Sequence, residues 1–209
     1  MTDTRTLAAD SAIDRIFGPV IQAQTWINML YLLISFPLGV AYFVVLVTML
    51  SAGVGMAVIV VGFFILWFGL MAADVLSELD RTVINTMLGA GIPPRAPAPP
   101  VSGSLHEHML ATAKRPGTIR RVIYLFLRFP LGVAGFILVM VLIPLSVVFL
   151  TAPLTYSFIP IQIGVSTVET FDQAIYICCF GAVFTLVSVH LINSWTAVCR
   201  RFAKTMLTQ

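Results

Sequence analysis

The sequence predicts an all-α integral membrane protein with four transmembrane helices, arranged as two parallel-repeat hairpins with short cytoplasmic amphipathic helices. Of the 209 residues, 59% are hydrophobic and 10% are charged, whereas a typical soluble domain carries about 25% charged residues. A chain of this length has too small an interior to bury so many apolar side chains, so much of its apolar surface must face lipid. The composition therefore excludes an ordinary soluble domain.

Four apolar segments are long enough to cross a bilayer, which takes about 20 residues. They cover residues 27–50, 54–73, 122–150 and 174–195. Because lipid offers no hydrogen-bond partners to backbone N–H and C=O groups, each segment must form a helix. Residues 51–53 leave room only for a tight turn between the first two helices. The sequence thus divides into four parts. An N-terminal segment covers residues 1–26, and a first two-helix repeat with a cytoplasmic extension covers 27–88. A Pro-rich linker covers 89–118, and a second repeat covers 119–209, with an outer connection at 151–173 and a basic C-terminal helix.

The positions of the charged residues predict the orientation. All twelve Lys and Arg residues lie in the N-terminal segment, the central segment, the first turns of the third span or the C-terminal tail. By the positive-inside rule, both termini and the central segment are cytoplasmic and the two hairpin connections face the opposite side of the membrane. The net charge of +3 thus reflects orientation rather than binding to nucleic acid. The basic residues predicted to contact lipid headgroups are Arg128, Arg200, Arg201 and Lys204.

After the second span, the sequence predicts a helical extension that ends at Gly89. Its predicted apolar stripe is Val75, Leu79, Val83 and Met87, and its charged residues Glu78, Asp80 and Arg81 are placed on the other faces. Before the first span, residues 12–21 have helical spacing of apolar side chains, which fits either a helix on the inner membrane surface or one packed on the protein itself.

The spans contain an internal repeat. Residues 25–43 and 118–136 are identical at ten of nineteen positions, with an offset of 93, and residues 81–88 align more loosely with 200–207, with an offset of 119. Each copy holds two spans, so both copies enter from the cytoplasm and the repeat is parallel. We therefore predict that the first span faces the third.

Each copy carries a Phe-Pro-Leu-Gly block inside its first helix. The hinge or packing candidates are Phe36, Pro37, Gly39, Phe129, Pro130 and Gly132. A proline removes one backbone N–H and kinks the helix, and a glycine permits close helix approach. The blocks fit a hinge that moves during function, and they also fit a fixed bend that packing requires.

Two polar residues lie inside the fourth span. His190 and Asn193 are three residues apart and therefore on one face. A hydrogen bond between helices is the simpler interpretation, and a proton-sensitive switch or a ligand contact is the alternative. His106-Glu107-His108 has no further ligand nearby, so no metal is predicted. No enzyme motif is present in the sequence, and no catalytic residue or cofactor is expected.

Three motifs together resemble the bacterial "putative sensor" membrane domain. Tyr-Leu-x-x-x-Phe-Pro-Leu-Gly-Val occurs at 31–40 and 124–133, Thr-Met-Leu-Gly-x-x-Ile-Pro-Pro at 86–94, and His-Leu-Ile-Asn at 190–193. The resemblance covers residues 25–207. The resemblance implies that this chain corresponds to the four-span membrane region that precedes the kinase domain of two-component histidine kinases. This chain ends at Gln209 without such a domain, so we expect its signal to pass through another polypeptide.

Two functions follow as hypotheses. The first is a non-catalytic sensor-like protein that relays a membrane or outer-face signal to a separate membrane or cytoplasmic partner. The second is an accessory or regulatory subunit of a larger membrane complex, such as a transporter or an electron-transfer assembly. A sensor should populate two helix arrangements that pivot near Pro37 and Pro130, whereas a subunit should populate one. The expected partners are the lipid bilayer and another protein, and a homodimer is also compatible with the sequence.

Overall fold

The computed structural model describes residues 22–57, 60–94, 117–156, 162–163, 166–167 and 170–208. Within this part of the chain, four helices are long and apolar enough to cross a membrane. The predicted all-α, four-span fold is confirmed, and the chain is a multi-pass membrane protein. The N-terminal helix predicted at 12–21 and the His106-Glu107-His108 motif lie outside the described residues.

The elements follow the predicted order. They are α1 (Ala23–Gly55), α2 (Val60–Leu88), α3 (Thr118–Thr155), β1 (Gln162–Ile163), β2 (Ser166–Thr167) and α4 (Phe171–Leu207). With 33 residues, α1 is about 50 Å long, which exceeds the roughly 30 Å of a hydrocarbon core. Helices α1, α3 and α4 extend beyond the apolar segments at both ends, and α2 extends beyond its segment at the C-terminal end.

The turn between α1 and α2 lies later in the chain than predicted. The predicted turn residues 51–53 are helical, and α1 ends at Gly55. A side chain on Gly53 would place its Cβ 2.6 Å from Cγ of Leu66. Gly53 thus permits α1 and α2 to approach closely at this end of the hairpin, and it does not form the turn.

The C-terminal end of α2 is fixed by a short folded segment. Gly89 and Gly91 adopt positive φ values of 58° and 63°, which end the helix after Leu88 as the glycines predicted. The side-chain amide of Asn85 then donates to the carbonyl oxygen of Ile92 and accepts from its N–H, both at 2.9 Å. The chain is therefore held against α2 for one turn beyond the helix.

The connection after α3 contains a short pair of strands. β1 pairs with β2 in an antiparallel register, with Gln162 opposite Thr167 and Ile163 opposite Ser166. The sequence predicted this outer connection without strands. A two-residue ladder is too short to alter the all-α class.

The described residues form two compact units that do not follow the two repeats. The first unit comprises the described residues of Met1–Met29 together with Ile137–Trp195, and the second comprises those of Leu30–Phe136 together with Thr196–Gln209. In the first unit, Phe149 on α3 contacts the rings of Phe180 and Phe184 on α4, each at 5.6 Å between centroids. The two repeats are therefore a division of the sequence, and the two compact units divide the structure at other positions.

Candidate functional site: a buried charged cluster

In the second unit, α1 and α3 approach at the glycines of the two Phe-Pro-Leu-Gly blocks. A Cβ on Gly39 would lie 3.2 Å from the backbone oxygen of Arg128, and a Cβ on Gly132 would lie 2.7 Å from the backbone oxygen of Ser35. Both glycines are buried, while Pro37 and Pro130 are exposed. A side chain at Gly132 would force the two backbones apart, and one at Gly39 would require a smaller shift.

Two aromatic stacks flank this approach. The rings of Phe36 and Phe136 stack with centroids 4.7 Å apart and planes at 26°, and those of Phe43 and Phe129 stack at 4.7 Å and 24°. The offset of 93 aligns Phe36 with Phe129 and Phe43 with Phe136. Each stack therefore uses the same two repeat positions, contributed by opposite helices.

A charged cluster lies next to these contacts, formed by Asp80 on α2 with Tyr124 and Arg128 on α3. Nε of Arg128 donates to both carboxylate oxygens of Asp80, at 3.2 and 3.1 Å, and the Tyr124 hydroxyl donates to Oδ2. The exposed fraction is 2% for Arg128 and 0% for Asp80. The ion pair is thus removed from solvent, and each charge compensates the other.

The Arg128 guanidinium has further neighbours in the second unit. Its Cζ lies 5.2 Å from the ring centroid of Tyr31, a cation–π geometry. Tyr124 in turn stacks on Phe202 of α4 at 5.5 Å. The buried charged cluster therefore contacts all four helices within this unit.

This arrangement corrects the prediction that Arg128 reaches lipid headgroups. Its side chain points into the protein because a carboxylate is available there, and desolvating a guanidinium without a counter-charge would cost several kcal/mol. Arg200, Arg201 and Lys204 are exposed on α4, and their contact with headgroups stays a prediction. Among the described residues, no three His, Cys, Asp or Glu side chains group closely enough to hold a metal ion.

The apolar stripe on the α2 extension does not coincide with the buried face of the helix. Val75 and Leu79 are 65% and 46% exposed. The buried positions are Ala73, Ser77, Asp80, Ile84 and Leu88. The offset of 119 maps the first four of them onto buried residues of α4, namely Ile192, Thr196, Cys199 and Ala203. The repeat alignment matches these two faces in the sequence, and the structure shows that both are buried.

The two polar residues of the fourth span have separate roles. In the first unit, Asn28 donates to the Asn193 side-chain oxygen at 2.9 Å, and Asn193 donates to Oγ1 of Thr25 at 3.2 Å. His190 is exposed, and its Nδ1 lies 2.8 Å from the carbonyl oxygen of Leu186 on its own helix. The expected interhelical hydrogen bond thus forms at Asn193 only.

The amide pair has a charged counterpart in the second unit. Nη1 of Arg121 donates to Oδ1 of Asp74 at 2.9 Å. The repeat offsets align Asn28 with Arg121 and Asp74 with Asn193. The two contacts therefore occupy equivalent repeat positions, one as an amide pair and one as an ion pair.

Replacing Asn193 by Leu is expected to lower the free energy of unfolding by about 1 kcal/mol, because two hydrogen bonds between helices are lost. Unfolding in mixed detergent micelles measures this loss. His190→Leu is the matched control on the same helix and should cause no loss, since the His190 contact lies within α4. Equal losses in the two variants would contradict this assignment.

The comparisons with known proteins agree with the motif analysis. A family model described as "Putative sensor" matches residues 8–207 of the chain. The resemblance inferred from the motifs is thus confirmed. The comparisons with curated proteins and with solved structures found no match.

Proposed function

Since this chain belongs to the family described as "Putative sensor", we propose that it is a non-catalytic membrane sensor that relays a membrane or outer-face signal to a separate protein partner. Its proposed location is a bacterial inner membrane with both termini in the cytoplasm, which the distribution of Lys and Arg supports. The observation that carries the relay is the buried charged cluster of Asp80, Tyr124 and Arg128.

The cluster gives the helices a contact that is either made or broken. A buried ion pair loses its compensation once Nε of Arg128 and the Asp80 carboxylate separate. An element with two discrete arrangements is what a signalling protein needs in order to change state. The ion pair joins α2 to α3, so a displacement of α3 alters the position of α2.

The output surface proposed for this relay is the pair of polar helix ends in the second unit. Exposed Arg200, Arg201 and Lys204 lie near the end of α4, and Arg120 at the start of α3 donates a hydrogen bond to the carbonyl oxygen of Thr205. A change in α3 is therefore transmitted to the end of α4 through a direct contact. A partner with an acidic surface fits these exposed basic residues.

The proposal is tested by measuring the distance between α2 and α3 within the second unit. Spin labels at the exposed positions Thr82 and Ile123, with Cys178 and Cys179 replaced by Ala, report this distance in lipid nanodiscs. We expect two populated distances in the parent protein. Asp80→Asn should change their ratio, because it removes the charge that stabilises one arrangement.

Asp172→Asn is the matched control, since Asp172 is an exposed acid in the first turn of α4. It should leave the ratio unchanged. A single distance that is the same in the parent protein and in Asp80→Asn would overturn the relay. A stoichiometric partner recovered through a tag at Gln209, combined with that single distance, would instead favour the accessory-subunit function.

A further inference from the structure

Four buried polar atoms in the second unit have no hydrogen-bond partner among the residues that the structure describes. They are Nη2 of Arg128 and the hydroxyl oxygens of Tyr31, Ser35 and Tyr42. Each of these side chains is at most 2% exposed. Native proteins leave few buried polar groups unpaired, so a group of four points to a bound species that supplies the missing hydrogen bonds.

The four side chains lie around the contact between α1 and α3. The Ser35 backbone faces Gly132, and the Arg128 backbone faces Gly39. The Arg128 guanidinium lies over the Tyr31 ring, and Tyr31, Ser35 and Tyr42 are spaced by four and seven residues, which places them on one face of α1. The polar atoms thus border one region of the second unit.

The charges of the region restrict what can bind there. Arg128 and Asp80 already neutralise each other, so an anion or a cation would leave an uncompensated charge in a site without solvent. Nη2 of Arg128 requires a hydrogen-bond acceptor, whereas the three hydroxyls can donate or accept. The species must therefore be neutral and must both accept and donate hydrogen bonds.

The close approach of α1 and α3 next to these atoms favours a small species. At Gly39 and Gly132 the opposite backbone is too close to accept even a methyl group without adjustment. A water molecule is the smallest neutral species with both hydrogen-bonding roles, and buried waters typically make about three hydrogen bonds to polar groups that are otherwise unpaired.

We infer that the buried charged cluster is internally hydrated, by water held between Arg128, Tyr31, Ser35 and Tyr42. The water solvates the guanidinium on the side that Asp80 does not reach. The inference goes beyond the sensor function and is independent of it, because hydration is measured without any signal or partner.

Radiolytic hydroxyl-radical labelling of the full chain in nanodiscs, in water enriched in ¹⁸O, tests this inference directly. Radicals formed from an internal water label the tyrosines next to it even when no bulk solvent reaches them. We expect Tyr31 and Tyr42 to be labelled at a rate comparable to that of Tyr156, which lies in the outer connection and is half-buried. Labelling of Tyr156 without labelling of Tyr31 or Tyr42 would overturn the inference.

A conservative variant tests which groups hold the water. Ser35→Ala removes one hydroxyl from the site, and the labelling of Tyr31 and Tyr42 should fall by up to about fivefold, because one lost hydrogen bond weakens the binding of the water by about that factor. Ser51→Ala, at an exposed position on the same helix, should leave the labelling unchanged. Equal labelling in Ser35→Ala and the parent protein would overturn the assignment of Ser35 to the site.

Discussion

Replacing Asp80 by Asn is expected to lower the free energy of unfolding by about 3–5 kcal/mol, because the Arg128 guanidinium is left buried without a counter-charge. Asn retains the shape of Asp and can still accept the hydrogen bond from Tyr124. The loss of stability therefore measures the effect of removing the charge of Asp80. Equilibrium unfolding in mixed detergent micelles measures it.

A double variant distinguishes the cost of leaving one buried charge without its partner from the stabilisation that the ion pair itself provides. Arg128→Met alone should also destabilise, since it leaves the Asp80 carboxylate uncompensated. In Asp80→Asn/Arg128→Met, much of the loss should be recovered, because no buried charge remains. A double variant whose loss equals the sum of the two single losses would show that the charges do not interact.

The matched control is the ion pair of Glu78 and Arg81, which lie on the same helix two residues before and one residue after Asp80. Its Glu78 side chain is partly exposed, so the pair is screened by solvent. Glu78→Gln should therefore change the free energy of unfolding by about 0–1 kcal/mol. A loss as large as that of Asp80→Asn would mean that burial does not determine the effect.

Gly132→Ala is expected to destabilise the protein by about 1–3 kcal/mol, because the added methyl group would lie 2.7 Å from the backbone oxygen of Ser35. A backbone atom cannot move aside as a flexible side chain can, so α1 and α3 must separate. Gly39→Ala should cost less, since its nearest contacts are at 3.2 Å. Thermal unfolding in detergent, monitored by circular dichroism, ranks the variants.

Gly55→Ala is the control for the intrinsic effect of replacing a helical glycine. A Cβ at Gly55 meets nothing within 4 Å, and alanine has the higher helix propensity. This variant should therefore be neutral or more stable than the parent. An order of stability in which Gly55→Ala is the worst of the three variants would refute the steric explanation.

The sequence predicted the spans well because their signal is local. Four continuous apolar segments can only be helices in lipid. Helices α1, α3 and α4 each contain one whole segment, and α2 begins at Val60, six residues after the predicted start of the second. The boundaries were less predictable, as residues 51–53 show. A helix continues through Ser, Ala and Gly when its neighbour packs against it, and Leu66 is such a neighbour for Gly53.

The buried charged cluster could not be predicted because its partners are chosen by tertiary packing. Three charged residues, Glu78, Asp80 and Arg81, lie close together in the sequence. Their residue types do not reveal which of the three is buried. Arg128 lies near the start of an apolar segment, a position that also suits a headgroup contact. Pairing them requires knowing that α2 lies beside α3.

The charge pair also distinguishes the two repeats. The repeat offsets align Arg128 with Ser35 and Asp80 with Cys199, so neither residue of the pair has a charged counterpart. Tyr124 has its counterpart in Tyr31, which has no carboxylate at the equivalent position. A duplicated architecture ordinarily offers two equal sites. Here any event that acts on the ion pair has a stoichiometry of one per chain, although the chain carries two copies of the hairpin.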